Sequence, residues 1–308
     1  MTEIHRADRG PDEPFEHRSG YLVVPLRTPT LPPATHTNCV VVGTDEVVVI
    51  DPASPYADEQ ERLLTLLEAR GGTVRGIWLT HHHADHVGGV NALREALSVP
   101  VGAHRATAER LTGQVKVDQE LYSGDIEEFD GFSVEVLHTP GHARGHLAFR
   151  DVDRKLLVAG DLVAGQGTIV IDPPEGDMAD YLETLGLLVR SGISSVIPAH
   201  GPAIEDGEEL LLRYIAHRMA REEQVLSALR TAERDSVYPI DIVPGVYPEV
   251  PALFHPLAAR QLLSHLLKLE AEGRVERLGG GSGVPGQPVY MPATGSVAAP
   301  EVAFRLLR

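Results

Sequence analysis

Apolar positions along the first 200 residues alternate between short β-branched runs and stretches with helical spacing. Between residues 58 and 70, leucines recur every three or four positions, and Gly71-Gly72 follows as a stop signal for a helix. The short apolar runs, separated by Gly- and Pro-rich turns, predict strands. The strand candidates are residues 21–26, 37–42, 47–50, 74–79, 132–137, 147–150, 155–159 and 195–197. Strands with interspersed helices predict a layered α/β (α+β) fold.

The pattern changes after residue 205. Residues 208–233 and 258–272 have long helical periodicity, and residues 274–291 are a Gly-rich stretch that predicts a strand hairpin. Two helices followed by a hairpin are the outline of a small winged-helix unit. We therefore expect an α/β domain at residues 1–205, a winged-helix-like domain at 206–291, and a tail or final helix at 292–308.

The acidic charge of the chain is unevenly distributed. The formal net charge is −17, and residues 1–212 hold 16 Lys and Arg against 34 Asp and Glu. Residues 213–308 are nearly neutral, with 11 basic against 10 acidic side chains. The acidity of the first two-thirds of the chain is unfavourable for nucleic-acid binding. Bound divalent cations would offset part of the acidity, and the remaining excess favours solubility.

Several features predict a cytoplasmic protein. The first 14 residues mix charges of both signs and lack the apolar core of a secretory signal. No apolar stretch approaches the roughly 18 residues of a membrane span. Cys39 is the single cysteine, which excludes an intramolecular disulfide and agrees with a reducing compartment.

A cluster of ionisable side chains follows the predicted strand at residues 74–79. Within six residues the chain carries His81, His83, Asp85 and His86. Buried imidazoles and carboxylates lose their solvation, and a divalent cation compensates for that loss. We expect the motif on a loop, with side chains 81 and 83 directed at one ion and side chains 85 and 86 at another.

Three downstream turns supply further metal ligands. Each follows an apolar strand and contains glycine: Thr139-Pro-Gly-His142, Val158-Ala-Gly-Asp161 and Pro198-Ala-His200-Gly201. A single histidine or Gly-Asp turn is more often structural. Three such turns at strand ends predict loops that converge on one face, with an open coordination position for water as in hydrolytic metal sites.

This order of motifs resembles the metallo-β-lactamase superfamily over residues 20–205. The resemblance implies an αβ/βα sandwich with two metal ions. It implies His81, His83 and His142 on the first ion, Asp85, His86 and His200 on the second, and a bridging Asp161. Zinc is the metal that we expect, with iron or manganese as alternatives, because His/Asp sets accept all three. The β-lactamase branch with a cysteine ligand needs that cysteine downstream of the motif, and the upstream position of Cys39 argues against this branch.

The two metals imply a hydrolytic mechanism. A shared metal-bound hydroxide would attack an ester-type substrate, and Asp85 would orient it and accept a proton as the catalytic residue. Asp51 resembles the family's aspartate that supports the ligand loop, although an Asp-Pro turn is the alternative. We expect His82 to face away from the metals and His146 to be structural, and His36 is an open candidate for the cleft wall.

The C-terminal segment bears on the substrate. The run from Tyr214 to Gln224 and the stretch from Gly160 to Thr168 resemble the β-lactamase-like protein 2, or endoribonuclease-like, subgroup, in which a winged-helix domain follows the core. The resemblance implies cleavage of single-stranded RNA. The candidate substrate contacts are Asn38, Thr168, His217 and Arg218. Arginines 213, 218, 221, 230 and 234 are the available basic patch, but acidic residues interrupt it.

Two alternatives to the ribonuclease remain open. One is a hydrolase of a small thioester such as a hydroxyacyl-glutathione, for which the same arginines would bind a carboxylate. The other is a nucleic-acid-binding module with structural metals, although structural sites rarely need a bridging carboxylate. We expect no membrane partner, and the pattern does not predict the oligomeric state.

Overall fold

The computed structural model describes residues 13–278 and 300–307. The chain forms two compact units that interleave along the sequence. Among the described residues, the first unit comprises residues 13–139, 145–168 and 192–208. The second unit comprises residues 140–144, 169–191, 209–278 and 300–307. The domains expected from the sequence are consecutive blocks. In the structure, two segments that precede residue 209 belong to the second unit.

The first unit contains a sheet whose strands follow one another in chain order. Strands β1 to β4 are antiparallel neighbours, and β4 to β7 are parallel neighbours. In the described residues the strands of this sheet are β1 (Phe15–Arg18), β2 (Tyr21–Arg27), β3 (His36–Gly43), β4 (Glu46–Ile50), β5 (Thr73–Trp78), β6 (Val101–Ala103) and β7 (Gln119–Glu120).

The second sheet of this unit has the order β12-β11-β10-β9-β8. Its neighbours are antiparallel except for β11 and β12, which are parallel. The strands are β8 (Ile126–Phe129), β9 (Phe132–His138), β10 (Leu147–Asp151), β11 (Leu156–Gly160) and β12 (Ser195–Pro198). The parallel pairs in both sheets matter for the site, because the carboxyl ends of parallel strands meet at one edge.

The two sheets pack face to face around an apolar core. Alternate residues of β2, β3 and β9 point into it, as strand geometry requires. Trp78 stacks on Phe149 with 5.2 Å between ring centroids, and Tyr21 meets Phe132 edge to face. A second core covers the other face of the first sheet with leucines of two helices. The helices of this unit are α1 (Ala57–Arg70), α2 (Ala84–Val87), α3 (Val90–Leu97) and α4 (Arg105–Arg110).

The second unit is mainly helical. Its described elements are α5 (Met178–Arg190), most of α6 (Gly207–Thr231), α7 (Pro239–Val246), a short 3-10 turn (Ala252–Phe254), α8 (His255–Ala271), β13 (Val275–Leu278) and β14 (Ala303–Leu306). Strands β13 and β14 are antiparallel. Apolar residues of α6, α7, α8 and both strands form one core. This arrangement of helices and a small sheet is the winged-helix unit.

The fold class expected from the sequence is confirmed, namely an α/β sandwich followed by a winged-helix domain. The predicted hairpin at residues 274–291 begins with β13, but its remainder lies outside the described residues. The partner of β13 is the strand at Ala303–Leu306, in the segment expected to be a tail or helix. None of the helices at residues 13–278 has the length and apolar character that a membrane crossing requires.

Candidate metal centre

The first sheet brings the histidine motif and Asp51 to the same edge. Asp51 follows β4 directly, and His81 lies three residues beyond the end of β5. These strands are parallel neighbours, with Ile50 opposite Trp78. Their carboxyl ends therefore deliver the carboxylate and the histidine side by side.

The second sheet contributes two more ligand candidates in the same way. Asp161 follows β11, and His200 lies two residues after its parallel neighbour β12. The last residue of β11 is Gly160, whose φ of +52° is in the left-handed region. A Cβ atom there would lie 2.6 Å from Nε2 of His146. Both the backbone angle and the close approach therefore require glycine.

The motif begins on a loop and ends on a short helix. His83 is the N-cap of α2, and Asp85 and His86 lie within this helix, whereas the sequence predicted a loop throughout. Consecutive residues of a helix point about 100° apart. The helical turn thus lets the adjacent side chains of Asp85 and His86 approach one ligand group from different directions.

The candidate ligands form two groups. His81, His83, His142 and Asp161 make up the first, and Asp85, His86 and His200 make up the second. Within each group, one ligand atom per residue lies within 4.8 Å of the others. Residues 81 and 83 fall in one group and residues 85 and 86 in the other, while their assignment to two ions stays a prediction. His82 belongs to neither group.

Asp161 lies next to both groups. Besides its place in the first group, its Oδ1 atom is 3.5 Å from Nε2 of His86 and 3.4 Å from Nε2 of His200. Nε2 of His200 is also 3.7 Å from Oδ2 of Asp85. One carboxylate is therefore within reach of both candidate ion positions.

The Asp51 carboxylate contacts His86 of the motif and Thr80, the residue before the motif. Its carboxylate accepts hydrogen bonds from the backbone N–H of Thr80 at 2.8 Å and from the Thr80 hydroxyl at 2.6 Å. Its Oδ2 atom is also 2.8 Å from Nδ1 of His86. A carboxylate that binds the second ring nitrogen of a metal-ligating histidine is a common arrangement in metal sites. Thr80, the residue before the motif, was not predicted, and its only signal is its place between strand and motif.

Main-chain carbonyls fix two further imidazoles. Nδ1 of His200 donates to the carbonyl of His36 at 3.0 Å, and Nδ1 of His142 donates to the carbonyl of Val170 at 2.8 Å. A carbonyl oxygen can only accept, so the proton resides on Nδ1 and the neutral ring keeps a lone pair on Nε2. This is the tautomer that binds a metal through Nε2.

The chemistry of the cluster fits divalent cations. Nε2 of His86 is shielded from solvent and makes no hydrogen bond within the described residues. Burial alone would lower the pKa of His86, but the carboxylates of Asp161 and Asp51 raise it well above its usual value. This excess of negative charge around a buried imidazole is the environment that a divalent cation neutralises.

His146 and Asn38 have structural contacts. His146 is fully buried, with Nδ1 2.8 Å from the Thr139 hydroxyl, and its Nε2 accepts from the backbone N–H of Asp161. The amide of Asn38 donates to the carbonyls of Pro198 and Gly201. Asn38 thus ties down the turn that carries His200. Thr168, another expected substrate contact, is exposed.

The candidate contacts on α6 differ from each other. His217 is exposed, and partial burial together with the charges of Arg218 and Arg221 lowers its pKa. Arg218 is only 1% exposed, and its Nη2 atom donates to the carbonyl of Ile169. Its guanidinium therefore has no surface at which to meet a substrate from solvent.

Comparison with known proteins agrees with this geometry. The chain matches the metallo-beta-lactamase superfamily over residues 32–200 and the beta-lactamase associated winged helix domain over residues 239–283. It is 30% identical to the Beta-lactamase-like protein 2 homolog of Drosophila melanogaster over 68% of this chain and 73% of that protein.

Two other relatives extend the comparison. The chain is 29% identical to the Atrochrysone carboxyl ACP thioesterase of Aspergillus chevalieri over 78% of its own length and 77% of that protein. A crystal structure of a metallo-beta-lactamase family protein from Thermus thermophilus superposes with a TM-score of 0.70 at 25% identity, covering 86% of this chain and 97% of that one. The chain therefore belongs to the metallo-beta-lactamase superfamily and is a metallo-hydrolase with a C-terminal winged-helix domain.

Proposed function

We propose that the protein is a two-metal hydrolase whose substrate is a thioester. In this proposal His81, His83 and His142 hold one divalent ion, Asp85, His86 and His200 hold the other, and Asp161 bridges them. The position of Asp161 Oδ1, 3.4 to 3.5 Å from two imidazole nitrogens of the second group, carries the dinuclear part. Zinc is the expected metal, and iron and manganese suit the same donor set.

The ligands and Asp85 have separate tasks. Bound divalent ions lower the pKa of water and polarise the oxygen of a carbonyl or phosphoryl group. Asp85 Oδ2 accepts the proton of the attacking water and returns one to the departing thiolate, so that a carboxylic acid and a thiol result. Asp51 and the carbonyls of His36 and Val170 keep three imidazoles in the tautomer that leaves Nε2 unprotonated.

The charges of the second unit disfavour RNA, and they equally disfavour a substrate whose carboxylate the same arginines would bind. Of the five arginines that would form a phosphate track, Arg218 is buried and the other four lie beside carboxylates. Those pairs are Arg213 with Glu209, Arg221 with Glu249, Arg230 with Glu223, and Arg234 with Asp241. Phosphate contacts dominate RNA affinity, and a neutralised track supplies few of them. The support for a thioester comes from the similarity to an ACP thioesterase.

The deciding experiment compares substrates under one condition. Metal-loaded protein and its Asp85→Asn variant are offered an acyl-pantetheine thioester, a hydroxyacyl-glutathione, a single-stranded RNA and a β-lactam. We expect thioester turnover by the wild type and a loss of at least about 100-fold in kcat for the variant, the lower range for general acid–base groups. Equal turnover by both proteins would contradict the role of Asp85.

Single-stranded RNA remains the second candidate. The α6 segment from Tyr214 to Gln224 and the similarity to a Beta-lactamase-like protein 2 homolog support it. In the same experiment, RNA cleavage that requires metal, is lost in the Asp85→Asn variant and falls steeply with salt would favour this substrate over the thioester. Metal-free binding of RNA without turnover of any substrate would support the binding-module alternative.

A further inference from the structure

The segment that follows Thr168 is held by side chains of α6 and α8. Arg218 of α6 donates through Nη2 to the carbonyl of Ile169 at 2.5 Å. Gln261 of α8 accepts from the backbone N–H of Ile171 at 2.7 Å. One backbone group on each side of Val170 is therefore held by a helix of the second unit.

A third side chain extends this contact along the segment. Nε of Arg260 lies 2.6 Å from Oδ1 of Asp172, and its Nη2 atom donates to the carbonyl of Pro173 at 2.6 Å. We name Arg218, Arg260 and Gln261 the clamp. The clamp thus engages four of the five residues from 169 to 173, and the residue it leaves is Val170.

The carbonyl of Val170 has a different partner, the candidate metal ligand His142. It accepts the Nδ1 proton of this imidazole at 2.8 Å. The position of that carbonyl sets both the tautomer and the ring orientation of His142. A shift of the segment by a few tenths of an ångström would lengthen this hydrogen bond and turn the ring.

The three side chains of the clamp are almost completely shielded from solvent. Arg218, Arg260 and Gln261 are 1%, 2% and 7% exposed. Removing a guanidinium from water is costly unless its donors find partners, and apolar residues would fill the same space without that cost. Here the partners are mostly main-chain groups of one segment, so the buried polarity serves to hold that segment in one conformation.

We propose that the C-terminal winged-helix domain and its preceding helix α6 position a metal ligand of the catalytic site. Arg218, Gln261 and Arg260 are positioning residues that act through the Val170 carbonyl on His142. The inference rests on the proposed function, because it takes His142 to bind the first metal ion. It gives Arg218 a role different from the substrate contact that the sequence suggests.

The test is a titration of the full-length apo protein with Co²⁺, in which the visible absorption of the bound ion reports binding. Gln261→Met removes the acceptor at nearly constant volume, and Gln261→Glu restores it. Gln224→Met makes the same change at an exposed position of α6. We expect Gln261→Met to weaken one of the two Co²⁺ sites by at least about 10-fold, the lower range for residues that support a metal ligand. The other Co²⁺ site of Gln261→Met should keep its wild-type affinity. Both sites of Gln261→Glu and of Gln224→Met should also keep their wild-type affinities.

A second measurement does not depend on metal. In the apo protein, a long-range ¹H–¹⁵N spectrum should report a protonated Nδ1 for His142 in the wild type and a mixture of tautomers in Gln261→Met and Arg218→Met. Unchanged tautomers and two unchanged metal affinities in a folded Gln261→Met protein would overturn the inference. An equal loss at both metal sites would also overturn it, since that indicates general destabilisation. A wild type that binds fewer than about two ions would instead refute the proposed function.

Discussion

At the scale of single residues, Asp51 shows how one carboxylate organises a metal motif. It adopts a φ of +49°, in the left-handed region that aspartate and asparagine tolerate better than most residues. Its oxygens accept from Thr80 and lie against Nδ1 of His86. The strained backbone and the three contacts together indicate that this carboxylate is placed for the ligand rather than for a turn.

We predict that Asp51→Asn weakens the second metal site. Asparagine keeps the backbone conformation, but its NH₂ group would face Nδ1 of His86 as a donor. The ring would then carry its proton on Nε2, the atom that binds metal in our proposal. A Co²⁺ titration should give an affinity about 10-fold to 100-fold lower at one site.

The matched control is Asp58→Asn, which alters an exposed carboxylate on α1 that is paired with Arg27. It should leave both metal affinities unchanged. If Asp51→Asn binds two ions as tightly as the control does, Asp51 has no role in orienting His86.

At the scale of elements, α8 contains a histidine that the site does not use. His265 is 0% exposed, and neither of its ring nitrogens has a hydrogen-bond partner within residues 13–278 and 300–307. Burial, reinforced by the nearby charges of Arg218 and Lys268, lowers its pKa to about 3. Arg221 and His217 act in the same direction. The folded protein therefore holds this imidazole neutral over the whole physiological range.

We predict that His265→Leu stabilises the protein. Leucine fills a similar volume and removes a buried polar group without a partner, which costs about 1–3 kcal/mol. Urea denaturation at pH 7 should therefore give a higher free energy of unfolding for the variant. A lower free energy would mean that the imidazole makes a favourable contact in solution.

The same residue predicts a pH dependence. A histidine whose pKa is lower in the folded state than in the unfolded state, where it is near 6.5, binds its proton on unfolding. The wild type should thus lose stability relative to His265→Leu as the pH falls from about 6.5 towards 3, by about 1.4 kcal/mol per pH unit. Urea titrations at pH 7, 6, 5 and 4 measure this difference. A difference that stays constant with pH would contradict the low pKa of His265.

At the scale of the whole molecule, the excess of acidic side chains in residues 1–212 includes carboxylates at the candidate metal centre. This part of the chain has 34 acidic against 16 basic side chains, and Asp85, Asp161 and Asp51 lie buried at the site. Mutual repulsion among carboxylates disfavours the compact state, and two divalent ions would relieve it locally.

We predict that removing metal lowers the melting temperature. A ligand that binds only the folded protein, at a free concentration 100 times its Kd, stabilises it by about 2.7 kcal/mol. Calorimetry before and after chelation, and after metal is restored, measures the shift. A His86→Asn variant should respond less to the chelator. Equal melting temperatures of the wild type with and without metal would contradict a structural contribution of the ions.

Long periodic elements could be predicted from the sequence, and short or interrupted ones could not. The helix expected at residues 208–233 is observed at Gly207–Thr231. The helix at Pro239–Val246 was missed because it is only eight residues long and contains Pro244, which interrupts the helical pattern. Strand β7 has two residues, too few for any alternation to be recognised.

For the candidate site, side-chain chemistry could be read from the sequence, whereas main-chain contacts could not. The seven ligand candidates stand out because histidine and aspartate cluster at strand ends. The Val170 carbonyl gives no signal, because every residue carries one. Arg218 was expected at the surface, since neighbouring arginines on α6 suggest a solvated face, and its burial follows from tertiary contacts with Ile169 and Tyr181.

The interleaving of the two compact units constrains how this gene can be divided. The helix at Met178–Arg190 lies before residue 205 in the sequence but belongs with α8 in the second unit. A fragment that ends at residue 205 would keep this helix while losing α8, which contacts it. Neither expression of the catalytic half alone nor exchange of the winged-helix half with another protein should yield a well-behaved product. We therefore expect a chimaeric protein to fold only when the helix at Met178–Arg190 and α8 come from the same parent protein.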